Sequence, residues 1–408
     1  MKIAVLSADY PPTTAMPGSP RLANHCAVLA TEHQLTLGLL SETRERREQY
    51  EADASIRKVF PHIQTFVPPQ VAPASWKRIY RKQLHRVFMT PSFSQRFLHP
   101  EEFQAMQHFV THLVNEFRAD ALLVDGVSLV ECVPHHLNGK LVVDFCDCIS
   151  ELRRQQAQRE KALARKIALY AEMYSVRRAE RAALARSALA VAISGIDAQG
   201  LTALASNRPV LVVPNGVDYQ YFSPIARSSV PTKHLVFTGI MDYSPNADAA
   251  VFFAREVLPQ IRVREPRAEF WIVGAFPAPE VQALSILPGV HVTDAVPDVR
   301  PYLWQSAVFV SPLRFGTGVK NKLLAAMSAG VPIVATRSSI SGIDIAANVH
   351  YLAANTSEEF AAQVLRLLTD RELSRSLCHH ARTTVERYYS WDRQAVPLIK
   401  ALSSLSAR

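Results

Sequence analysis

The segment from Ser311 to Thr336, SPLRFGTGVKNKLLAAMSAGVPIVAT, decides the fold of this chain. Before it stands the apolar run 307–310, AVFV, which predicts a buried strand. Inside it, a Gly-x-Gly turn leads directly into a helical pattern from Lys322 to Ala329, and Gly330-Val331-Pro332 ends that helix before the next apolar run. This order of strand, glycine turn and helix indicates one unit of a parallel α/β sheet.

The same segment predicts an anion-binding loop. A turn of this kind directs free backbone N–H groups and a helix N-terminus at one place, and both favour negative charge there. Arg314, Lys320 and Lys322 add three cations around that place. The residues alone leave a second interpretation open, which is an ordinary strand-turn-helix unit with a solvated basic turn.

The segment resembles the donor-binding motif of retaining glycosyltransferases of family 4, which have the two-domain GT-B fold. The matching variant reads Pro-Leu-Arg-x-Gly-x-Gly-x-x-x-Lys-x-Leu-Glu-Ala-Met-Ala, and the positions that agree in register are Pro312, Leu313, Arg314, Gly316, Gly318, Lys322, Leu324, Ala326 and Met327. The resemblance implies a donor site formed by Arg314, Gly316, Thr317, Gly318, Val319, Lys320 and Lys322.

Two positions depart from that motif. The paired glutamates of the family would fall at Thr317 and Ala325, and the second of them approaches the nucleotide ribose in the family. Its replacement by alanine removes a charged hydrogen-bond acceptor worth about 1.5–3 kcal/mol. Donor affinity and donor identity therefore stay open.

Length and composition fit a protein of two globular domains. A chain of 408 residues exceeds what one core usually supports, and 48% apolar with 20% charged residues excludes a disordered chain. The net charge of +9 indicates an anionic partner. Five cysteines without zinc spacing or a disulfide framework indicate a reducing cytoplasm, and the absence of a run of about 18 apolar residues predicts no membrane span.

The N-terminal part resembles the acceptor domain of the same glycosyltransferases. A strand from Lys2 to Ser7 leads through a Pro/Gly loop into a helix that begins at Arg21, which places the loop at the ligand-binding end of a parallel sheet. The resemblance implies that Gly18 and Arg21 contact the acceptor or the donor phosphates. A solvent-facing arginine is the alternative for Arg21.

A second N-terminal segment, 140–147 (KLVVDFCD), resembles the family's Asp-Val-His-Asp strand, whose histidine borders the reacting centre. Asp144 and Asp147 match, whereas Cys146 occupies the histidine position and a thiol carries protons poorly. Asp147 is therefore the candidate catalytic acid or base on the acceptor side. The alternative is a loop aspartate that caps the helix after Ile149.

Positive charge is concentrated in two stretches. From Trp76 to Arg96 the chain alternates cations with aromatic and aliphatic residues and has no acid, which predicts contact with an anionic membrane surface; packing on the N-domain is the alternative. Nucleic acid is not expected, since no recognised module is present. The stretch 151–187 predicts one long helix with ten Lys/Arg against four Glu, and it resembles a subgroup of sugar transferases associated with exosortase systems in exopolysaccharide-producing bacteria.

The C-terminal part begins after the segment 212–222, VVPNGVDYQYF, which marks the crossing between domains in the family. Next comes a strand ending at Gly239, followed by Asn246 at a helix entry; both are implied donor contacts. The arginine and lysine that the wider family places after this glycine are absent. The three cations of the loop described above would replace them, since a buried diphosphate needs its charge met.

The resemblance implies two Rossmann-like domains, residues 1–222 and 233–390, with parallel sheets facing a central cleft and a last helix, about 391–408, that returns to the first domain. It implies an enzyme, either free in the cytoplasm or peripheral on the inner membrane face, that transfers a sugar from a nucleotide-diphosphate sugar to a glycan, lipid-linked or small-molecule acceptor. Retention, no cofactor and no metal are expected. Two alternatives are a catalytically degenerate GT-B scaffold that binds a nucleotide or protein partner, and a basic membrane-surface adaptor.

Overall fold

The computed structural model describes residues 1–8, 21–40, 54–66, 100–205, 208–225 and 233–406. These residues form two units: the first combines the chain up to Pro214 with the chain from Ala395 onward, and the second holds Asn215 to Gln394. Gly18 and the basic segment Trp76–Arg96 lie outside the described residues.

The first unit contains a seven-stranded parallel sheet in the order β3-β2-β1-β4-β5-β6-β7. The inner strands are short apolar runs that are buried on both faces, as parallel sheets require, whereas the edge strands β3 and β7 are partly exposed. Their bounds are β1 Lys2–Ser7, β2 Gln34–Leu39, β3 His62–Thr65, β4 Ala121–Asp125, β5 Leu141–Asp144, β6 Leu189–Ala192 and β7 Val210–Val212.

Helices cover this sheet and connect its strands. They are α1 Arg21–Leu29, α2 Ala54–Val59, α3 Pro100–Phe117, α4 Ile149–Arg159, α5 Leu163–Arg186 and α6 Gly195–Thr202, with 3-10 turns at Val127–Cys132 and His135–Lys140. Because every strand runs in the same direction, the carboxyl ends of β1, β4 and β5 lie side by side at one edge.

The second unit contains a six-stranded parallel sheet in the order β10-β9-β8-β11-β12-β13. The strands are β8 His234–Thr238, β9 Glu269–Val273, β10 Val290–Val292, β11 Val308–Ser311, β12 Ile333–Ala335 and β13 Leu352–Ala353. The helices are α7 Ser244–Phe252, α8 Leu258–Arg264, α9 Pro279–Gln282, α10 Arg300–Gln305, α11 Asn321–Ser328, α12 Ser357–Thr369 and α13 Arg371–Tyr388. A π-helical turn, Phe253–Val257, joins α7 to α8, and a 3-10 turn lies at Ala283–Ile286.

The last helix, α14 (Trp391–Ser406), starts in the second unit and ends in the first. Its side chains Leu398 and Leu402 are fully buried in the core that includes Ile3 and Val5 of β1. The expected return of the final helix to the N-terminal domain is therefore confirmed.

The single helix expected over 151–187 is wrong, because the chain forms α4 and α5 with a break at residues 160–162. At the break, the Glu160 side chain accepts a hydrogen bond from the Ala162 N–H at 2.9 Å and pairs with Arg165. A side chain that takes over a backbone donor competes with the helical ladder, and this local competition ends the first helix.

Within the described part of the chain, no helix combines the length and the apolar character needed to cross a membrane.

Candidate functional site

A buried hydroxyl network fixes the start of the glycine loop after β11. Ser339 donates from its Oγ to the Ser311 carbonyl at 2.6 Å and accepts the Leu313 N–H at 3.3 Å, and Thr336 donates to the Leu313 carbonyl. Ser311 and Ser339 have no exposed surface. The loop that follows therefore leaves the sheet from a rigid base.

Gly316 and Gly318 let the loop turn back on itself, with φ values of 132° and 75° that favour glycine. The Lys320 ammonium folds into this turn and donates to the carbonyl oxygens of Thr317 and, at 2.7 Å, Gly318. Lys320 is 8% exposed and is also the N-cap residue of α11, where it provides no side-chain cap. A cation and an uncapped helix N-terminus thus occupy the same loop.

Lys322, the second residue of α11, brings a second cation to the carboxyl end of the sheet. Its Nζ donates to the Asn246 side-chain oxygen and lies 4.3 Å from the Phe237 ring centroid. Burial, and then the neighbouring Lys320 charge, hold the pKa of Lys322 well below its usual value. Over the residues that the structure describes, Lys322 forms no ion pair with a carboxylate.

Gly239 makes this convergence possible, because a Cβ at that position would lie 2.6 Å from the Asn246 Nδ2 and 2.9 Å from the Lys322 Nζ. Asn246 is itself fixed by a hydrogen bond of 2.8 Å from Nδ2 to the Ile240 carbonyl. The structure thus brings together Gly239, Asn246 and Lys322, three of the residues implied by the sequence.

Thr317 and Val319 line the same loop and are 6% and 7% exposed. The Thr317 hydroxyl is buried without a hydrogen-bond partner among the described residues. A buried hydroxyl without a partner needs an explanation, and an ordered water or a bound ligand would each supply one. Val319 supplies only apolar contact.

Arg314 has an acidic partner that the sequence did not reveal. Its Nε lies 2.8 Å from the Asp248 Oδ2, a second bond joins Nη2 to the other carboxylate oxygen, and the guanidinium lies 5.1 Å from the Phe252 ring centroid. The hydrogen bond to Asp248 raises the pKa of Arg314. The expected contact of Arg314 with phosphate stays a prediction, and it now competes with an ion pair inside the unit.

In the first unit, Arg21 is 2% exposed, so the alternative of a solvent-facing arginine is wrong. Its guanidinium pairs with Asp144 through Nε–Oδ2 at 2.8 Å and Nη2–Oδ1 at 3.1 Å, and Nη1 donates to the Val213 carbonyl at 2.7 Å. The same Asp144 accepts the Cys146 N–H at 3.0 Å. Arg21 thus acts on the end of β5 through Asp144.

Cys146 adopts the left-handed backbone conformation, with φ at 56°. Burial, and then the charge of Asp144, raise the pKa of its thiol well above the usual value. The thiol therefore stays protonated at neutral pH, and the expectation that Cys146 does not carry protons stays a prediction. Such strained backbone is concentrated at functional sites.

Asp147 follows directly and precedes α4, whose N-cap is Cys148. The carboxylates that receive the first N–H groups are Asp197, from Cys148 at 2.9 Å, and Glu180, from Ser150 at 3.1 Å. Both acids are fully buried. They anchor the turn that carries Asp147, and sequence reasoning missed them because they lie on later helices.

Asp125 is a further titratable group that the sequence did not single out. It ends β4 opposite Asp144 of β5 and accepts the Ser7 hydroxyl at 3.0 Å. Burial, and then the charge of Asp144, raise its pKa to about 6. On α1, burial and then the Arg21 charge lower the pKa of His25 to about 3. The strand ends of the first unit therefore hold a coupled set of ionisable groups.

The described residues contain no group of three or more His, Cys, Asp or Glu side chains that could hold a metal ion.

Comparison with known proteins places the glycine loop in a family. Residues 232–370 match the family described as glycosyl transferases group 1. This segment is a glycosyl transferases group 1 domain. The group 1 domain includes β8 to β13 and thus Gly239, Asn246 and the loop that carries Lys320. No curated protein matches the chain.

Solved structures establish the fold of the whole chain. Sucrose-phosphate synthase from Thermosynechococcus elongatus superposes with a TM-score of 0.71 at 14% identity, over 100% of this chain and 99% of that one. Anabaena HepE with UDP and glucose gives 0.65 at 13% identity, over 99% and 100%. WaaG, a glycosyltransferase of lipopolysaccharide biosynthesis, gives 0.63 at 16%, with both chains covered completely. The chain has the GT-B fold, and the expected pair of parallel sheets is confirmed.

Proposed function

We propose that this protein is a glycosyltransferase that moves a sugar from a nucleotide-diphosphate sugar to an acceptor, with retention and without a metal ion. The observation that carries the proposal is Lys322, a half-buried lysine whose charged form faces Asn246 instead of a carboxylate. An uncompensated buried charge is costly. A diphosphate would supply the missing negative charge.

The group 1 domain and the fold support sugar transfer, and HepE has been solved with UDP and with UDP-glucose. A nucleotide-diphosphate sugar is accordingly the proposed donor, with Gly239, Asn246, Arg314 and the loop 316–322 as its contacts. Membership of retaining family 4 and of the exopolysaccharide-associated subgroup is part of the same proposal, as are a cytoplasmic location and a glycan, lipid-linked or small-molecule acceptor.

In the proposed reaction, an acceptor hydroxyl oxygen bonds to the anomeric carbon on the face from which the diphosphate departs. The carbon–oxygen bond to the diphosphate breaks, and the acceptor proton passes to the leaving phosphate. Negative charge grows on that phosphate, and Lys320, Lys322 and the N-terminus of α11 would stabilise it without reorganisation. These groups would stabilise the negative charge of the departing diphosphate, a role that a metal ion has in other enzymes.

Residues of the first unit are proposed for the acceptor side. Asp147 remains the candidate acid or base, and Gly18 remains an implied contact. For Arg21, the ion pair with Asp144 favours a role in holding the Cys146–Asp147 turn.

Donor hydrolysis tests this function without knowledge of the acceptor. Purified protein is incubated with UDP-glucose and other nucleotide-diphosphate sugars in EDTA, and proton NMR follows the anomeric form of the first sugar released. The proposal predicts release with retained configuration, and a strong decrease in Lys322→Met. Inverted sugar, or release that requires a divalent cation, would contradict the proposed mechanism.

Two observations favour a second candidate, a GT-B scaffold that binds a nucleotide or a protein partner without catalysis. Ala325 lacks the family carboxylate, and Arg314 is engaged by Asp248. This scaffold would bind a nucleoside diphosphate and release no sugar from any donor. A third candidate, a membrane-surface adaptor based on Trp76–Arg96, stays a prediction from sequence.

A further inference from the structure

One face of α5 exposes an apolar stripe. Leu163, Ile167, Tyr170 and Tyr174 follow one another at spacings of four, three and four residues, which places them on the same side of a helix. Leu163, Ile167 and Tyr174 are 71%, 61% and 66% exposed, and Tyr170 is partly exposed. Single exposed apolar side chains are ordinary, but a continuous stripe over three turns indicates a binding surface.

The acids on and beside this helix are paired with arginine or buried. Glu160 pairs with Arg165 at 3.2 Å, Glu172 pairs with Arg153 at 3.2 Å, and Glu180 is fully buried.

Cations remain beside the stripe. Lys166 precedes Ile167, and Arg177 and Arg178 follow Tyr174 by three and four residues, so they extend the same face by one turn. In the parts of the chain that the structure describes, none of these three forms an ion pair. The face is thus apolar along its centre and positive beside it.

We propose that this α5 surface, composed of Leu163, Ile167, Tyr170, Tyr174, Lys166, Arg177 and Arg178, binds an anionic lipid bilayer. A helix with an apolar stripe and adjacent Lys/Arg lies in the plane of a membrane interface, where the stripe enters the acyl boundary and the cations meet the headgroups. The aromatic Tyr170 and Tyr174 suit the same depth, since their hydroxyls reach the headgroup layer.

The charge of the α5 surface favours a lipid bilayer over two alternative occupants. A second copy of this chain, seated face to face, would bring the same cations together, and like charges across an interface are unfavourable. The segment 67–99 of this chain contains cations and no acid, so it does not complement the α5 surface either. An anionic bilayer satisfies both the apolar stripe and the cations.

Vesicle flotation of the full-length protein tests this surface. The vesicles are phosphatidylcholine alone, or phosphatidylcholine and phosphatidylglycerol in equal parts. We expect the protein to float only with the anionic vesicles, and more weakly as salt is raised. The charge variant Lys166→Glu/Arg177→Glu/Arg178→Glu should lose at least about tenfold in affinity, since each cation near the surface contributes.

A second variant, Leu163→Ser/Ile167→Ser, should lose binding through the apolar stripe with all cations kept. The matched control is Val263→Ser/Arg264→Glu, which makes the same kinds of change at exposed positions of α8. The control should float like the wild type. Because the changed side chains are exposed or, for Lys166, partly exposed, the thermal unfolding midpoints of all variants should agree, which excludes misfolding as the cause of lost binding.

The proposal would be overturned by no flotation of the wild type with anionic vesicles, by normal flotation of both α5 variants, or by a wild-type dimer in light scattering that both α5 variants convert to monomer without any lipid binding. Loss of flotation only in Arg78→Glu/Arg81→Glu/Lys82→Glu would also overturn it, in favour of the 67–99 segment. The proposal is independent of sugar transfer, because Lys322→Met should float normally even where donor binding fails.

Discussion

The two sheets end in opposite electrostatic arrangements. At the carboxyl ends of the first sheet, the buried cation Arg21 meets the buried anion Asp144 at 2.8 Å. At the carboxyl ends of the second sheet, Lys322 meets the amide of Asn246, and Lys320 donates to backbone carbonyls. A charge that is paired inside its own unit holds structure, whereas the Lys322 ammonium, which faces an amide and no carboxylate among the described residues, is prepared for an external anion. The comparison therefore separates a structural clamp from a candidate ligand site.

The largest expected effect comes from breaking the clamp. Arg21→Met leaves Asp144 buried without its cation, and removal of one partner of such a pair costs about 3–5 kcal/mol of unfolding free energy. Urea unfolding measures this loss. The double variant Arg21→Met/Asp144→Leu should lose less than the single variant, since no buried charge is left alone. A loss below about 1 kcal/mol in Arg21→Met would contradict a structural role.

The next effect depends on pH. Because the pKa of Asp125 is raised to about 6, wild-type protein is destabilised as pH rises from about 4 to 6, since over this range the carboxyl keeps its proton in the folded state but loses it in the unfolded chain. Asp125→Asn removes the penalty and should gain roughly 2–3 kcal/mol at pH 8, with no gain at pH 4. Urea unfolding at both values measures this.

His25 serves as a control, because its contribution to stability changes with pH in the opposite direction to that of Asp125. Its pKa of about 3 keeps it neutral when folded, so its contribution to stability falls as pH decreases from about 6.5 towards 3. Substitution by the neutral, similarly shaped glutamine, His25→Gln, should weaken that acid-side loss and leave the Asp125 effect between pH 4 and 8 in place. A gain in Asp125→Asn that is equal at both pH values would show that burial does not perturb this carboxyl.

At the carboxyl ends of the second sheet, the expected change in the free energy of unfolding has the opposite sign. Lys322→Met should leave the free energy of unfolding unchanged or higher, since it removes a half-buried amine whose charged form has no carboxylate partner among the described residues. The same change should weaken nucleoside diphosphate binding by about tenfold or more, the loss expected for a charged hydrogen bond. Calorimetric titration measures the affinity, and the exposed Lys400→Met is the control. Marked destabilisation with unchanged affinity would make Lys322 another structural cation.

Binding should also take up a proton at Lys322. Its pKa is lowered in the free protein, and a bound anion favours the charged form, so affinity should fall as pH rises. Titrations in two buffers with different ionisation enthalpies detect this uptake, and Lys322→Met should abolish it.

The smallest effect concerns Arg314. If Asp248 competes with a phosphate for this guanidinium, Asp248→Asn should strengthen diphosphate binding by roughly two- to fivefold, the range of a partly exposed ion pair. Arg314→Ala should weaken binding by up to about tenfold. Unchanged affinity in both variants would remove Arg314 from the donor site.

Much of the difference between the two sheet ends could be predicted from the sequence. The rest depended on contacts between residues that lie far apart in the sequence. The apolar runs identified the strands, and the motif around Gly316 predicted the loop and its cations. The pairing of Arg314 with Asp248, 66 residues apart, had no local signal. The same holds for Asp125, whose raised pKa arises from burial next to Asp144 on the adjacent strand.

The interruption between α4 and α5 was also missed. Helical periodicity continues through the Glu160 region, and a side-chain hydrogen bond to the Ala162 N–H decides the break. Such competition depends on where one side chain lies relative to one backbone N–H group, and residue patterns do not encode that position. The exposed stripe on α5 became visible only once the helix bounds and exposures were known.

The measurement that tests the central claim most directly is a thermal-shift panel of UDP, GDP, TDP, ADP and CMP on the wild type and on Lys322→Met, with the matching nucleosides as controls. A ligand at 100 times its dissociation constant adds about 2.7 kcal/mol to the folded state. The account predicts stabilisation of the wild type by at least one diphosphate, none by its nucleoside, and a lost or strongly reduced shift in Lys322→Met. No shift with any diphosphate, or an equal shift in both proteins, would contradict it.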